Sequence, residues 1–147
     1  MKRFKFRLQT LLDQRKSVED ILLAELAEVR REEAAEVERL DSLYDRLEAA
    51  LENLETAMSK NDPIEEISRL DEYAKATRDD IKVQQLTLEA VRERVEAKRL
   101  EVVKAMQDRQ VLEALRDKQE AEYLAAVAKA EQNELDEMAS LRYARGM

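Results

Sequence analysis

The sequence contains no cysteine, no histidine and no tryptophan, and it has a single glycine and a single proline. Without cysteine or histidine there is no disulfide, no nucleophile paired with histidine and no set of the usual transition-metal ligands. The lone glycine, Gly146, also excludes the glycine-rich loops that bind phosphates. Pairs of acidic residues remain, but such pairs catalyse proton transfer only in a cleft that excludes water. We therefore expect no enzyme activity, no metal and no organic cofactor.

Long apolar runs are missing as well. No run approaches the roughly 20 residues that span a bilayer, and the basic N-terminal stretch is not followed by the apolar segment of a signal peptide. The net charge of −8 is unevenly distributed, at +5 in residues 1–16, −12 in residues 17–80 and −1 in residues 81–147. Because the acidic middle repels phosphates, we expect no binding to nucleic acid. A cytoplasmic protein is the default expectation.

Helix-forming residues are abundant instead. Charged residues make up 41% of the chain, but the 44% that are hydrophobic are spread along its length, so disorder is the weaker interpretation. The segment Ser59–Pro63 is the strongest helix breaker, because proline has no N–H and restricts the residue before it. Asp62 is expected to cap the next helix, with Pro63 at its first position. We predict one coiled-coil domain over residues 1–147, with helix one at about 4–60, a hinge at about 60–63 and helix two at about 63–144.

Both predicted helices carry residues at alternating spacings of three and four, which is the pattern of a left-handed coiled coil. In helix one these residues form two stripes, joined through Glu33 and Val37 by a stutter that should relax the supercoil. The stripes are Leu8, Leu11, Arg15, Val18, Leu22, Leu26 and Val29, then Leu40, Tyr44, Leu47, Leu51, Leu54 and Met58. In helix two they are Ile67, Leu70, Ala74, Thr77, Ile81, Gln84, Leu88, Val91, Val95, Lys98, Val102 and Ala105.

A short break with its own helix cap favours an antiparallel hairpin within one chain, and hence a monomer, over a parallel dimer. Folding back at residue 61 places residue 10 near residue 113. Helix two should then extend past helix one by roughly 20 to 25 residues, or about 30 to 40 Å at 1.5 Å per residue. The predicted fold is therefore all-α, a long two-helix antiparallel coiled-coil hairpin whose second helix is longer than the first.

Some apolar residues lie outside these stripes. Phe4 and Phe6 alternate with basic residues, and their rings either tuck onto the coiled coil or form a docking patch. Tyr73 begins a row beside the core that continues through Thr77, Asp80 and Gln84. A larger group is expected simply to widen the seam, and it consists of Ile21, Leu23, Val83, Leu86, Leu100, Val103 and Leu124.

Two stretches at the ends of the chain are distinctive. Residues 4–12 have the sequence FKFRLQTLL and precede the charged segment Ser17–Asp20. Near the other end, Glu113–Arg116 leads to Glu122 and Tyr123, and then to Glu131–Ala139 and Arg142. In these stretches the chain resembles the FliJ family of flagellar type III export proteins. The middle of the chain fits that family in architecture only.

The resemblance implies a non-catalytic component of the flagellar export apparatus at the cytoplasmic face of the inner membrane, similar in shape to the central stalk of rotary ATP synthases. In that family the paired helix ends enter the hexameric export ATPase FliI and promote its assembly and activity. Escort of unloaded substrate chaperones is also attributed to the family. Carried over by position, the residues facing the ATPase ring would be Phe4, Phe6, Leu8, Leu11, Leu12, Tyr123, Leu135, Asp136, Glu137 and Arg142.

The resemblance also implies a contact with the cytoplasmic domain of the export gate FlhA. The candidates for this contact are Tyr73, Thr77, Asp80 and Gln84. Tyr73 suits the aromatic residue expected there, whereas the other three depart from the more apolar or histidine-bearing row of the family.

Three other functions remain open from the sequence. The chain could be the equivalent stalk protein of a virulence-type secretion system. It could bind membrane surfaces through its basic, phenylalanine-containing N-terminus. It could also be an unrelated scaffold, such as a dimeric coiled coil.

Overall fold

A computed structural model describes residues 3–146, and over this range the chain forms two α-helices and no strand. Helix α1 spans Gln9–Ser59 and helix α2 spans Ile64–Arg145. The predicted all-α fold with a longer second helix is confirmed. Met1, Lys2 and Met147, which the predicted domain includes, lie outside the described residues.

Helix α1 begins at Gln9 rather than near residue 4. The N–H of Gln9 donates to the carbonyl of Phe6 at 3.1 Å in a turn, and residues 3–6 have no regular secondary structure. Phe6 is buried, and the Phe4 ring contacts Tyr123 of α2. Aromatic side chains contribute a large apolar area to any contact. Packing of these two rings therefore replaces the first predicted turn of the helix.

The connection between the helices is a Schellman motif at the end of α1. Asn61 adopts a left-handed conformation with a φ of 54°. Its N–H donates to the carbonyl of Met58 at 3.3 Å, and the N–H of Asp62 donates to the carbonyl of Ala57 at 3.0 Å. This pair of hydrogen bonds satisfies carbonyls that a helix end leaves without partners. Asparagine is one of the few residues other than glycine that adopt this conformation readily.

Pro63 follows this motif and caps α2. Its carbonyl accepts hydrogen bonds from the N–H groups of Glu66 and Ile67 at 3.0 and 3.1 Å. Helix α2 therefore begins at Ile64, and the prediction that Asp62 is the cap and Pro63 the first helical residue is shifted by one position. The first carbonyl to accept a bond from a residue four positions later is that of Pro63, and the N–H of Asp62 still belongs to the end of α1. Boundary differences of this size are common.

Two compact units make up the fold. The hinge unit is Ile21–Val102, and the terminal unit combines the residues up to Asp20 with those from Val103 onward. In the hinge unit, three contacts join α1 to α2: Glu25 to Lys98 at 2.9 Å, Glu32 to Arg94 at 2.9 Å, and Tyr44 to Gln85 at 2.8 Å. The later a residue lies in α1, the earlier its partner lies in α2. The predicted antiparallel pairing is thus confirmed in this unit.

The α1 side of the hinge-unit core differs from the predicted seam. Ala50 is only 3% exposed and Ala57 is equally buried, whereas the predicted Tyr44, Leu51 and Met58 are all exposed. Each of these three predictions falls one residue too late. The distance between packed helices depends on the side chains at the contact, and alanine permits a close approach. Leu51 and Met58, the larger residues that follow these alanines, are exposed beside the contact.

The predicted stutter between residues 29 and 37 is also wrong. The spacing of three and four continues without interruption through Val29, Glu33, Glu36 and Leu40, all of which are buried or half-buried. Glu36 takes a position where an apolar residue was expected. Its backbone carbonyl accepts a hydrogen bond from the side-chain amide of Gln84 at 3.1 Å, and its carboxylate accepts another. A polar pair therefore fills the seam where the sequence suggested a change of register.

Helix α2 follows the prediction more closely. In the hinge unit every predicted seam residue from Ile67 to Val102 is buried or half-buried. The expectation for the surrounding apolar residues is only partly met. Val103 is half-buried and widens the seam, but six others remain exposed. These six are Ile21, Leu23, Val83, Leu86, Leu100 and Leu124.

In the terminal unit the best-buried side chain is Leu12, which is 0% exposed. The predicted seam residue Leu11 is half-buried and Val18 is exposed, because Leu12 and Glu19 take the core positions instead. On α2 every residue from 128 to 146 is exposed. This stretch of 19 residues is about 27 Å long at 1.5 Å per residue, somewhat shorter than the 20 to 25 residues and 30 to 40 Å expected from the sequence.

Candidate partner-binding surfaces

The candidate sites are groups of side chains on the surfaces of the two units. Across residues 3–146, no group of histidine, cysteine or acidic side chains is arranged to hold a metal ion. Neither helix, over the same residues, is long and apolar enough to cross a membrane. The surfaces therefore have to be judged by which predicted side chains are exposed and how they are held.

The first surface is formed by the N-terminal aromatic residues of the terminal unit. The ring centroids of Phe4 and Tyr123 are 5.8 Å apart with a tilt of 42°, a favourable arrangement for an aromatic pair. Phe6 is buried beside them, while Phe4 and Tyr123 are half-buried. Of the two predicted alternatives, tucking of the rings onto α2 is therefore the arrangement in the structure. Part of each half-buried ring remains accessible to a partner.

An ion-pair cluster joins α1 to α2 elsewhere in the terminal unit. The guanidinium of Arg109 donates to the carboxylates of Glu19 and Glu113, and the bond to Glu113 measures 2.8 Å. Hydrogen bonding to Glu19 and then to Glu113 raises the pKa of Arg109 above its usual range. Glu19 is itself buried, so its charge depends on this partner. Arg15 lies 3.9 Å from Asp108 and adds a second, exposed ion pair.

The exposed end of α2 carries the remaining candidates for the ATPase contact. Leu135 is 61% exposed, and Asp136, Glu137 and Arg142 are also exposed. Asp136 accepts a hydrogen bond from Gln132 at 3.1 Å, which is a contact within one helix. Met138 and Leu141 are exposed as well, and they follow Leu135 at intervals of three residues. This end therefore presents apolar and charged groups that have no partner from α1 in the described chain.

The candidates on α1 have a different environment. Leu12 is completely buried, and Leu8 and Leu11 are half-buried. The ten predicted ATPase-facing residues therefore divide by exposure, since the four near the end of α2 are exposed and the other six are buried or half-buried.

The four candidates for the gate contact divide in the same way. Tyr73 is 51% exposed and Asp80 is exposed, and a separation of seven residues puts them on one side of α2 about 10 Å apart. Thr77 is buried, and its hydroxyl donates to the carbonyl of Tyr73 at 2.9 Å. Gln84 lies in the seam, bonded to Glu36. Only Tyr73 and Asp80 are thus placed to touch a partner directly.

Three charged residues of the seam were not predicted from the sequence. Glu19, Glu36 and Arg109 occupy core positions of an unbroken three-and-four spacing. The available signal was the regular spacing itself. Extending it through charged positions would have placed Glu19 in the core of α1 and Arg109 in the core of α2.

Comparison with known families gives one match over nearly the whole chain. The family model described as Flagellar FliJ protein matches residues 4–147. No curated protein and no solved structure matches the chain.

Proposed function

Because this chain belongs to the FliJ family and is a component of the flagellar export apparatus, we propose that it is a non-catalytic stalk that binds the hexameric export ATPase. In this proposal the terminal unit contacts the ATPase ring and promotes its assembly and activity. The hinge unit contacts the cytoplasmic domain of the export gate. Escort of unloaded substrate chaperones belongs to the same proposal, and the protein works at the cytoplasmic face of the inner membrane.

The observation that carries the ATPase contact is the exposed end of α2. Its residues from 128 to 146 are exposed along their whole length, and they include Leu135 and Arg142. A single helix is about 10 to 12 Å wide with its side chains, which suits insertion into the centre of a ring. Apolar groups beside charged ones on such an end supply both contact area and specificity.

The ring contact would stimulate the ATPase only by favouring one state of the ring over another. A partner that binds all states equally shifts no equilibrium. The Phe4–Tyr123 pair and the exposed end of α2 belong to one unit, so both can contact the ring together. Phe6, Leu8, Leu11 and Leu12 have a supporting role in this proposal.

The gate contact is proposed for Tyr73 and Asp80. Tyrosine is enriched where proteins bind each other, because it provides a large rigid contact area with a polar tip. Thr77 holds the backbone beneath Tyr73, and Gln84 ties the same part of α2 to α1. These two residues therefore position the surface and do not touch the gate.

The ATPase contact is tested by measuring ATP hydrolysis and hexamer formation of the purified export ATPase with and without this protein. The variant Leu135→Glu/Arg142→Glu should lose most of the stimulation, because it alters the exposed end without touching the core. The control Glu52→Lys changes an exposed charge in the hinge unit and should stimulate like the wild type. Circular dichroism checks that helicity is unchanged. Full stimulation by the double variant would contradict insertion of this end.

The gate contact is tested by calorimetric titration of the purified cytoplasmic domain of the gate. Tyr73→Ala should weaken binding by about tenfold or more, the effect of a central interface residue. Tyr44→Ala removes another exposed tyrosine of the hinge unit and serves as the matched control. Equal affinity for the two variants would refute the proposed surface.

A further inference from the structure

Helix α2 carries a second row of apolar residues outside its seam with α1. Val83, Leu86 and Leu100 are 64%, 67% and 55% exposed, although they were expected to widen the seam. The core positions of this part of α2 are occupied by Ile81, Leu88, Val91 and Val102. Val83 and Leu86 follow Ile81 by two and five residues, which places them across the helix from the buried face.

The spacing of this row is that of a coiled-coil seam. Its members are Val83, Leu86, Ala90, Glu93, Ala97 and Leu100, which we call the outer stripe, and all six are exposed. Successive members are separated alternately by three and four residues. Single exposed apolar residues need no explanation, but a row in this register over five turns is unusual on the solvated side of a helix.

We infer that the outer stripe docks an amphipathic α-helix of another protein that carries a lysine or arginine opposite Glu93. The alternating spacing of three and four favours a helix as the occupant, because it matches the side-chain rows of a second helix. The outer stripe is about 26 Å long at 1.5 Å per residue, which requires about five turns of the partner. This surface does not include the residues proposed to contact the ATPase or the gate.

The side chains of the outer stripe specify the partner further. Ala90 and Ala97 are small and leave room for large apolar residues on the docking helix. Glu93 lies between them, so its carboxylate would lose water when a helix docks. Removing a charge from water is costly unless an opposite charge accompanies it. The partner helix must therefore combine large apolar residues with a basic residue at the middle of the contact.

A second copy of this chain fits these requirements poorly. Two copies paired in parallel place Glu93 opposite Glu93, which adds repulsion to the loss of water. Two copies paired antiparallel, with Val83 opposite Leu100, place Glu93 opposite Ala90. In neither arrangement does a member of the partner's outer stripe supply a cation opposite Glu93. The charge of Glu93 thus favours a different protein as the occupant.

The test uses a charge exchange between the full chain and designed peptides. The probes are two fluorescent helical peptides of about three heptads with leucine at the core positions, and they differ only in having lysine or glutamate at the central core position. Fluorescence anisotropy should show that the wild type prefers the lysine peptide by about tenfold. The variant Glu93→Lys should prefer the glutamate peptide, and Leu86→Lys/Leu100→Lys should bind neither. Leu124→Lys alters an exposed leucine of α2 outside the outer stripe and should bind like the wild type.

Other outcomes would overturn the inference. Equal preference of wild type and Glu93→Lys for the two peptides would remove the role of Glu93. Sedimentation equilibrium showing a dimer that Leu86→Lys/Leu100→Lys dissolves would identify a second copy as the occupant. Flotation with phosphatidylglycerol vesicles that depends on Leu86 and Leu100 would identify a membrane. ATPase stimulation by the double lysine variant should stay at the wild-type level, so failure here is distinct from failure of the proposed function.

Discussion

Truncating Leu12 to alanine tests how the terminal unit is held together. Leu12 is 0% exposed and is the largest completely buried side chain among residues 3–146. Leucine-to-alanine changes at buried sites cost about 2 to 5 kcal/mol, with the smaller values where the surroundings can collapse into the space. A two-helix contact is open at its sides and can relax. We therefore expect a loss of about 2 to 3 kcal/mol in the free energy of unfolding.

The assay is urea unfolding followed by circular dichroism at 222 nm. A change in the midpoint without a change in slope reports stability alone. The control is Leu141→Ala, which makes the same chemical change at an exposed position of α2. It should cost less than about 0.5 kcal/mol, as is usual for surface substitutions. Equal shifts for the two variants would refute the assignment of Leu12 to the core.

Three further predictions concern the hinge unit. Asn61→Gly should raise the free energy of unfolding by several tenths of a kcal/mol or more, since glycine adopts the left-handed conformation without strain, and a lower urea midpoint would contradict the Schellman motif. Ala50→Leu should lower the free energy of unfolding by about 1 to 3 kcal/mol through overpacking, and Leu51→Ala should lower it by less. A lower melting temperature for Leu51→Ala than for Ala50→Leu would instead support the seam predicted from the sequence. Hydrogen bonds from Arg99 lower the pKa of Glu96, so this pair stabilises the fold above the ordinary glutamate pKa and loses its contribution as the pH falls through the lowered value. Thermal melts between pH 7 and 3 should show a smaller acid loss in Arg99→Gln, and an unchanged loss would exclude that pair as a source.

The sequence was sufficient to predict the two helices, the hinge and the seam of α2. These features depend on strong local signals, namely the proline at position 63, helix-forming residues elsewhere, and a regular spacing from Ile67 onward. The turn itself was less well predicted, because attention went to Pro63 and Asp62. Asn61 was the residue that mattered for closing α1, and its preference for the left-handed conformation was available as a signal.

The seam of α1 was misassigned because hydrophobicity and burial disagree there. Leu51 and Met58 are larger and more apolar than Ala50 and Ala57, so selection by hydrophobicity alone favours them. Burial in a two-helix contact depends instead on which residues allow the backbones to approach. The side chains of both helices determine how closely the backbones approach, so the sequence of one helix does not predict which of its residues are buried.

The candidate surfaces were predictable to a similar extent. The resemblance to the family named Phe4, Tyr123 and Tyr73 as candidates, but it did not indicate which of the candidate side chains are exposed and which are buried. Thr77 is such a case, since its hydroxyl bonds to the carbonyl of Tyr73 inside the seam. From the sequence, the apolar residues of the outer stripe are only scattered positions outside the seam. They form an exposed row only once it is known which side of α2 faces α1.

The unpaired end of α2 has a consequence for how the chain would associate. An isolated helix of that length is marginal in water, because forming its first turn is unfavourable. Here the preceding turns of α2, held in the terminal unit, act as a permanent nucleus, so helix formation only has to propagate outward. Amide hydrogen exchange should therefore quicken steadily from residue 128 towards Gly146 instead of changing at one point. A partner that encloses this segment would slow amide hydrogen exchange most near Gly146. Its affinity would benefit because the helix is already formed and little conformational entropy is lost on binding.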